Sequence, residues 1–131
     1  MEAHDKIVFL GWLTPEKLKE ETQKADVGLN LLTGKSLNYK YSLANKFFDY
    51  MHAGIPSINM DFPVYRRICR EYEVGVCIDN LETETIQSAI RELIHDQDKI
   101  NSIKNSCERA KAQFNWDKES KQFTTLIKSL F

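Results

Sequence analysis

The chain carries almost no net charge: 18 Lys and Arg against 19 Asp and Glu leave −1 over 131 residues. That balance supplies no general attraction for nucleic acid or for an anionic lipid surface, so nucleic acid is not expected as a partner. Long apolar runs are lacking as well. None approaches the ~20 residues of a membrane-spanning helix, and residues 1–6 do not have the basic-then-apolar layout of a signal peptide. Cysteine is sparse. Cys69, Cys77 and Cys107 are odd in number and far apart, without a C-x-x-C pair. This is no disulfide framework, and it fits a reducing cytoplasm. No base stands beside them in the sequence to activate a catalytic thiol. Cys69, next to Ile68, and Cys77, within 74–78, therefore read as small buried hydrophobes. Internal repeats and low-complexity linkers are missing too.

What is present suits one globular domain, with 42% hydrophobic and 28% charged residues. Residues 7–12 form a short apolar run and read as a buried strand. Thr14 and Pro15 start a helix that runs to about residue 24, the threonine as cap and the proline at the first helical position. Residues 25–32 are nearly all apolar, as in a parallel strand covered on both faces. A polar loop over 33–41 follows, then a helix over 43–53 with Gly54 as its stop. A strand at 55–60, a helix at 64–72 opened by Pro63 and a strand at 74–79 come next. Apolar residues then recur at helical spacing over 84–95, 98–114 and 116–130. Strands alternating with helices predict an α/β fold over residues 1–131: a Rossmann-like parallel sheet of about four strands, flanking helices and a helical C-terminal third.

The helix at 43–53 carries the most information. At about 100° per residue, Leu43, Ala44, Phe47, Phe48, Tyr50 and Met51 share one arc. Ser42, Asn45, Lys46, Asp49 and His52 fill the opposite one. An amide, a cation and a carboxylate thus meet near a helix N-terminus, whose free N–H groups and positive dipole suit phosphate. The loop at 33–42 also leaves the carboxyl end of a strand, where ligands bind parallel sheets.

The run Ala44-Asn45-Lys46-Phe47-Phe48-Asp49-Tyr50-Met51-His52-Ala53-Gly54-Ile55-Pro56-Ser57-Ile58 resembles the hallmark "P-N-K-x-x-E-Y-x-A-x-G-x-P-V-I" of group 1 retaining glycosyltransferases of the two-Rossmann-domain (GT-B) type. The segments at 7–12, 25–32, 74–78 and 114–116 resemble that family's "V-x-F-L-G", "A-D-V-x-L-x-P-S", "x-G-x-x-V" and "F-S-W" in the same order. The resemblance implies the C-terminal, donor-binding domain of an enzyme that moves a sugar from a nucleoside-diphosphate sugar to a saccharide or lipid-linked acceptor in surface polysaccharide biosynthesis. It implies no metal and no cofactor, a cytoplasmic location reaching at most the inner membrane face, and a separate acceptor-binding domain as partner. The chain would begin at the third strand of that donor domain. It would lack the two β-α units that supply an Arg and a Lys to the diphosphate, and so be inactive by itself. The family pairs two glutamates across its key loop and helix. The second aligns with Asp49, implying a ribose-hydroxyl acceptor. Counting back by the family's interval puts the first at Tyr41, which is no carboxylate, and the family's Gly-rich loop is replaced by Asn38-Tyr39-Lys40-Tyr41-Ser42.

The donor-binding candidates are accordingly Asp49, Lys46, Asn45, Ser42, Tyr41 and Lys40, with Lys35 in the same loop. No catalytic residue is assigned. Each candidate has a plainer reading: Asp49 paired with Lys46 or His52, Ser42 as the helix cap, the lysines merely solvated. His52 lacks partners at metal-ligand spacing. Arg66, Arg67 and Arg70 read as a solvated strip, with an anionic membrane surface or polyanionic acceptor as the other reading. Trp12 and Trp116 read as packing residues. The alternative for the whole chain is a non-catalytic α/β interaction module. In the family's strand order the strand at 7–12 loses its neighbours. It should either pair directly with 27–32 or leave an edge at which two chains join as a homodimer, and self-association is the expected outcome.

Overall fold

The computed structural model describes residues 6–131. Among these residues three strands and seven helices follow in the order α1 (Pro15–Thr22), β1 (Gly28–Asn30), α2 (Leu37–Tyr41), α3 (Asn45–Ala53), β2 (Ser57–Met60), α4 (Pro63–Tyr72), β3 (Gly75–Ile78), α5 (Thr83–His95), α6 (Gln97–Lys111) and α7 (Trp116–Ser129). The strands form a parallel sheet in the order β1-β2-β3. The fold is the expected α/β, Rossmann-like arrangement.

Local chemistry places most boundaries. The Thr14 hydroxyl accepts the Lys17 N–H at 3.3 Å, and Pro15 opens α1. Gly54 ends α3 at φ 73°, the left-handed conformation that costs glycine least. Pro63 opens α4, which ends on Glu73 at φ 55°. Asp96 and Asn115 cap α6 and α7 by accepting the N–H groups of Lys99 and Lys118.

The register stacks Gly28, Ser57 and Gly75 in one cross-strand row, and Asn30, Asn59 and Cys77 in the next row on the same face. A Cβ on Gly28 would meet the Tyr50 ring of α3, and Asn59 touches Cys69 of α4. Both connecting helices therefore cover this face, as right-handed crossovers require. Phe47, Met51, Ile58, Tyr65, Val74, Leu93 and Cys107 are almost wholly buried and form the core between sheet and helices. Helix α6 packs on α3, α4 and α5.

The structure corrects several expectations. Residues 7–12 form no strand: Phe9 is 90% and Trp12 86% exposed, and Gly11 turns the chain at φ 70°. The sheet has three strands, and the segment does not pair with β1. A strand satisfies none of its own backbone groups, so an apolar run becomes one only where a neighbour offers hydrogen bonds. The same cause shortens the strand at 25–32 to three residues, since β1 pairs only with β2. Residues 37–41, expected as loop, form the short α2, because the Ser36 hydroxyl accepts the Tyr39 N–H at 3.3 Å. Trp12 and Trp116 are not packing residues; Trp116 is 74% exposed. Helix α7 forms as expected but buries none of its residues, so its helical spacing faces no core.

Candidate functional site

Helix α3 positions the candidate site. Phe47 and Met51 turn inward, and Phe48 is half-buried with its ring 5.5 Å from that of Phe47 and 5.9 Å from that of Phe114. With that side packed, Asn45, Lys46, Asp49 and His52 are left exposed on the other. Among the described residues Asp49 has no ion-pair partner, so neither the expected Lys46 nor the expected His52 pairing forms. His52 instead places Nε2 2.7 Å from the Phe114 carbonyl oxygen, fastening α3 to the connection between α6 and α7.

The entry to α3 differs from the expected cap. Ser42 does not cap this helix: it follows α2, and its hydroxyl donates to the Tyr39 carbonyl at 3.0 Å. Ala44 occupies the cap position without a side-chain acceptor. Its own N–H donates to the hydroxyl of the fully buried Tyr65 at 2.8 Å, which anchors the start of α3 to α4. Tyr65→Phe removes that acceptor and is expected to cost about 1–2 kcal/mol, read by urea unfolding. An unchanged midpoint would mean that water replaces the hydroxyl freely.

Lys40 and Tyr41 end α2, and Tyr41 is 60% exposed. The connection from β1 to α3 places these residues, and the first turn of α3, at the carboxyl end of β1. Asp49 lies one turn deeper. It lines the largest of the described cavities, about 600 Å³, between α1, α3 and α6. Leu18, Lys19 and Thr22 of α1, His52 of α3 and Lys111 of α6 share its wall. Lys40, Tyr41, Ser42, Asn45 and Lys46 do not line it. The structure thus divides the predicted set between a helix entrance and a cleft. Sequence reasoning missed Lys19 and Lys111, and no local signal marks them, because they come from other helices. The cavity combines an apolar wall from Leu18 and Phe48 with a carboxylate and cations. It can hold a flat group together with hydroxyls or an anion.

The arginine strip is only partly solvated. Arg66 grips Asp61 through both carboxylate oxygens, at 2.6 and 2.8 Å, and also donates to the Asp61 carbonyl at 2.8 Å. The guanidinium holds the Asp61 carboxyl below its ordinary range. Among the described residues no helix is long and apolar enough to cross a membrane. Compared with family profiles, with curated proteins and with solved structures, the chain finds no match in any of the three.

Proposed function

We propose that this chain is the donor-binding part of a retaining glycosyltransferase acting on a nucleoside-diphosphate sugar. The observation that carries the reading is the placement of Asp49: unpaired, exposed, on a helix that starts at the carboxyl end of a parallel sheet, and in the wall of a cleft large enough for a nucleoside. The motif's other requirements are compatible. Its apolar positions pack the helix, and its glycine takes the left-handed stop. In the reading, Asp49 accepts hydrogen bonds from ribose hydroxyls. Asn45, Lys46, Lys40 and the free N–H groups opening α3 face the diphosphate, where negative charge builds as it departs. Tyr41 stands in place of a carboxylate and assigns no acid-base step to this chain. The acceptor, a saccharide or lipid-linked one, belongs to a second lobe. A cytoplasmic site, peripheral to the inner membrane face, goes with this reading.

Titration of the chain with UDP, GDP and their sugars by calorimetry tests it. Saturable binding is expected, and Asp49→Ala should weaken it at least about tenfold, or 1.4 kcal/mol. Because Asp49 is exposed and unpaired, the same substitution should change stability by less than about 1 kcal/mol. No binding at millimolar ligand would favour the non-catalytic interaction module. The helical α2 in place of a glycine-rich loop is the observation on that side.

A further inference from the structure

Two of the three cysteines, separated in sequence by the end of α4, meet in space. Cys69 lies on the buried side of α4, and Cys77 stands on β3, an edge strand of the sheet. Both line a cavity of about 320 Å³ with Asp61, Arg66, Arg70 and Gly75, and the two thiols are close enough to influence each other's ionisation. Cys69 is buried, whereas Cys77 is half-exposed. The cavity therefore gives a small reagent a way to Cys77 first.

The buried polar row on this face of the sheet points the same way. The Asn30 amide donates to the Asn59 carbonyl oxygen at 3.1 Å, and the Asn59 amide donates toward the Cys69 sulfur at 3.8 Å. Asn59 also donates to the Ser57 hydroxyl at 3.0 Å. The neighbouring Cys69 thiol favours the Cys77 thiolate; burial and the Asp61 carboxylate oppose it, and the Arg66 and Arg70 guanidinium groups favour it to a lesser degree. The adjacent Cys77 keeps Cys69 protonated, with its burial acting in the same sense. Cys107 is fully buried, its thiol pushed up to about 11 by burial, and its sulfur donates weakly to the Val74 carbonyl at 3.9 Å.

We propose that Cys69 and Cys77 form a peroxide-responsive dithiol, with Cys77 as the attacking thiol and Cys69 as the resolving one. The oxidant is a hydroperoxide. The Cys77 thiolate attacks one peroxide oxygen; an S–O bond forms and the O–O bond breaks. The departing oxygen takes a proton and leaves as water, or as an alcohol from an organic peroxide. Cys77 is now a sulfenic acid. The Cys69 sulfur attacks the Cys77 sulfur, an S–S bond forms and the S–O bond breaks. The hydroxyl leaves with the Cys69 proton as a second water. The two thiols have lost two electrons to one peroxide. A small dithiol reverses the change by exchange. The disulfide ties the end of α4 to the sheet edge.

The test is hydrogen peroxide treatment of the native chain, then alkylation of free thiols and tryptic mapping without reductant. Cleavage after Arg67, Arg70 and Arg91 puts Cys69 in residues 68–70 and Cys77 in 71–91. The expected product is these two peptides joined within one chain, with two hydrogens lost and Cys107 alkylated. In Cys69→Ser the sulfenic acid should persist on Cys77 and be trapped by dimedone. In Cys77→Ser, Cys69 should stay alkylatable. Wild-type mapping needs no variant to fold. Free Cys69 beside an over-oxidised Cys77, a disulfide through Cys107 or a link only between chains would each overturn the proposal.

Discussion

Phe47→Ala is expected to destabilise the fold by about 3–5 kcal/mol, the cost of emptying a large aromatic site that cannot fully collapse. The Phe47 side chain is 0% exposed and stacks edge-on against Phe48 and Tyr65, with ring centroids 5.5 and 5.2 Å away. Neither neighbour is free to fill the space. Tyr65 is held by its hydrogen bond to Ala44, and Phe48 leans on Phe114. A loss of that size is a large share of the 5–15 kcal/mol that holds most domains folded. Urea unfolding gives the number. A loss under about 1 kcal/mol would mean that α3 is not anchored through Phe47, and the placement of Asp49 would fall with it.

Gly75→Ala should be the other severe change, at up to about 3 kcal/mol from overpacking. An added Cβ would stand 2.4 Å from the Ser57 carbonyl oxygen and 2.7 Å from its hydroxyl. The carbonyl belongs to β2, paired directly with β3, so it yields only if the strand pairing opens. Gly34→Ala is the control. There the new Cβ would meet only the Phe62 ring at 3.6 Å, an ordinary contact. The expected result is a large drop in melting temperature for the first and little for the second. Equal melting temperatures would show that β2 and β3 can part locally at no cost.

Part of the site is legible in the sequence. The inward turn of Phe47 and Met51, and the outward turn of Asn45, Lys46, Asp49 and His52, follow from the helical period alone. The left-handed Gly54 follows from its place after the last apolar turn. Ser42 does not cap α3, because residues 37–41 form the additional helix α2 and Ser42 falls at its end. Ser36 caps α2, and the cap position of α3 falls two residues after Ser42, on Ala44, which has no capping side chain. Phe48 and Tyr50 share the apolar arc but are half-buried, because the arc is wider than the surface available to cover it.

The sequence by itself determined the order of the elements from α1 onward except for α2, the parallel α/β class and the amphipathic face of α3. These rest on capping residues, on the alternation of apolar runs with helical periods, and on short crossovers, all of which act over a few neighbouring residues. Tertiary structure alone decided that residues 7–12 stay out of the sheet, since strand formation needs a partner and β1 takes only β2. It also brought Asp49 into a cleft with Lys19 and Lys111, closed Arg66 onto Asp61, and set Cys77 beside Cys69. Most of these contacts join separate elements, and even where the partners are near in sequence the packing of helix against strand sets whether they meet. That information resides in the packing of the whole chain and not in the pattern of any one segment.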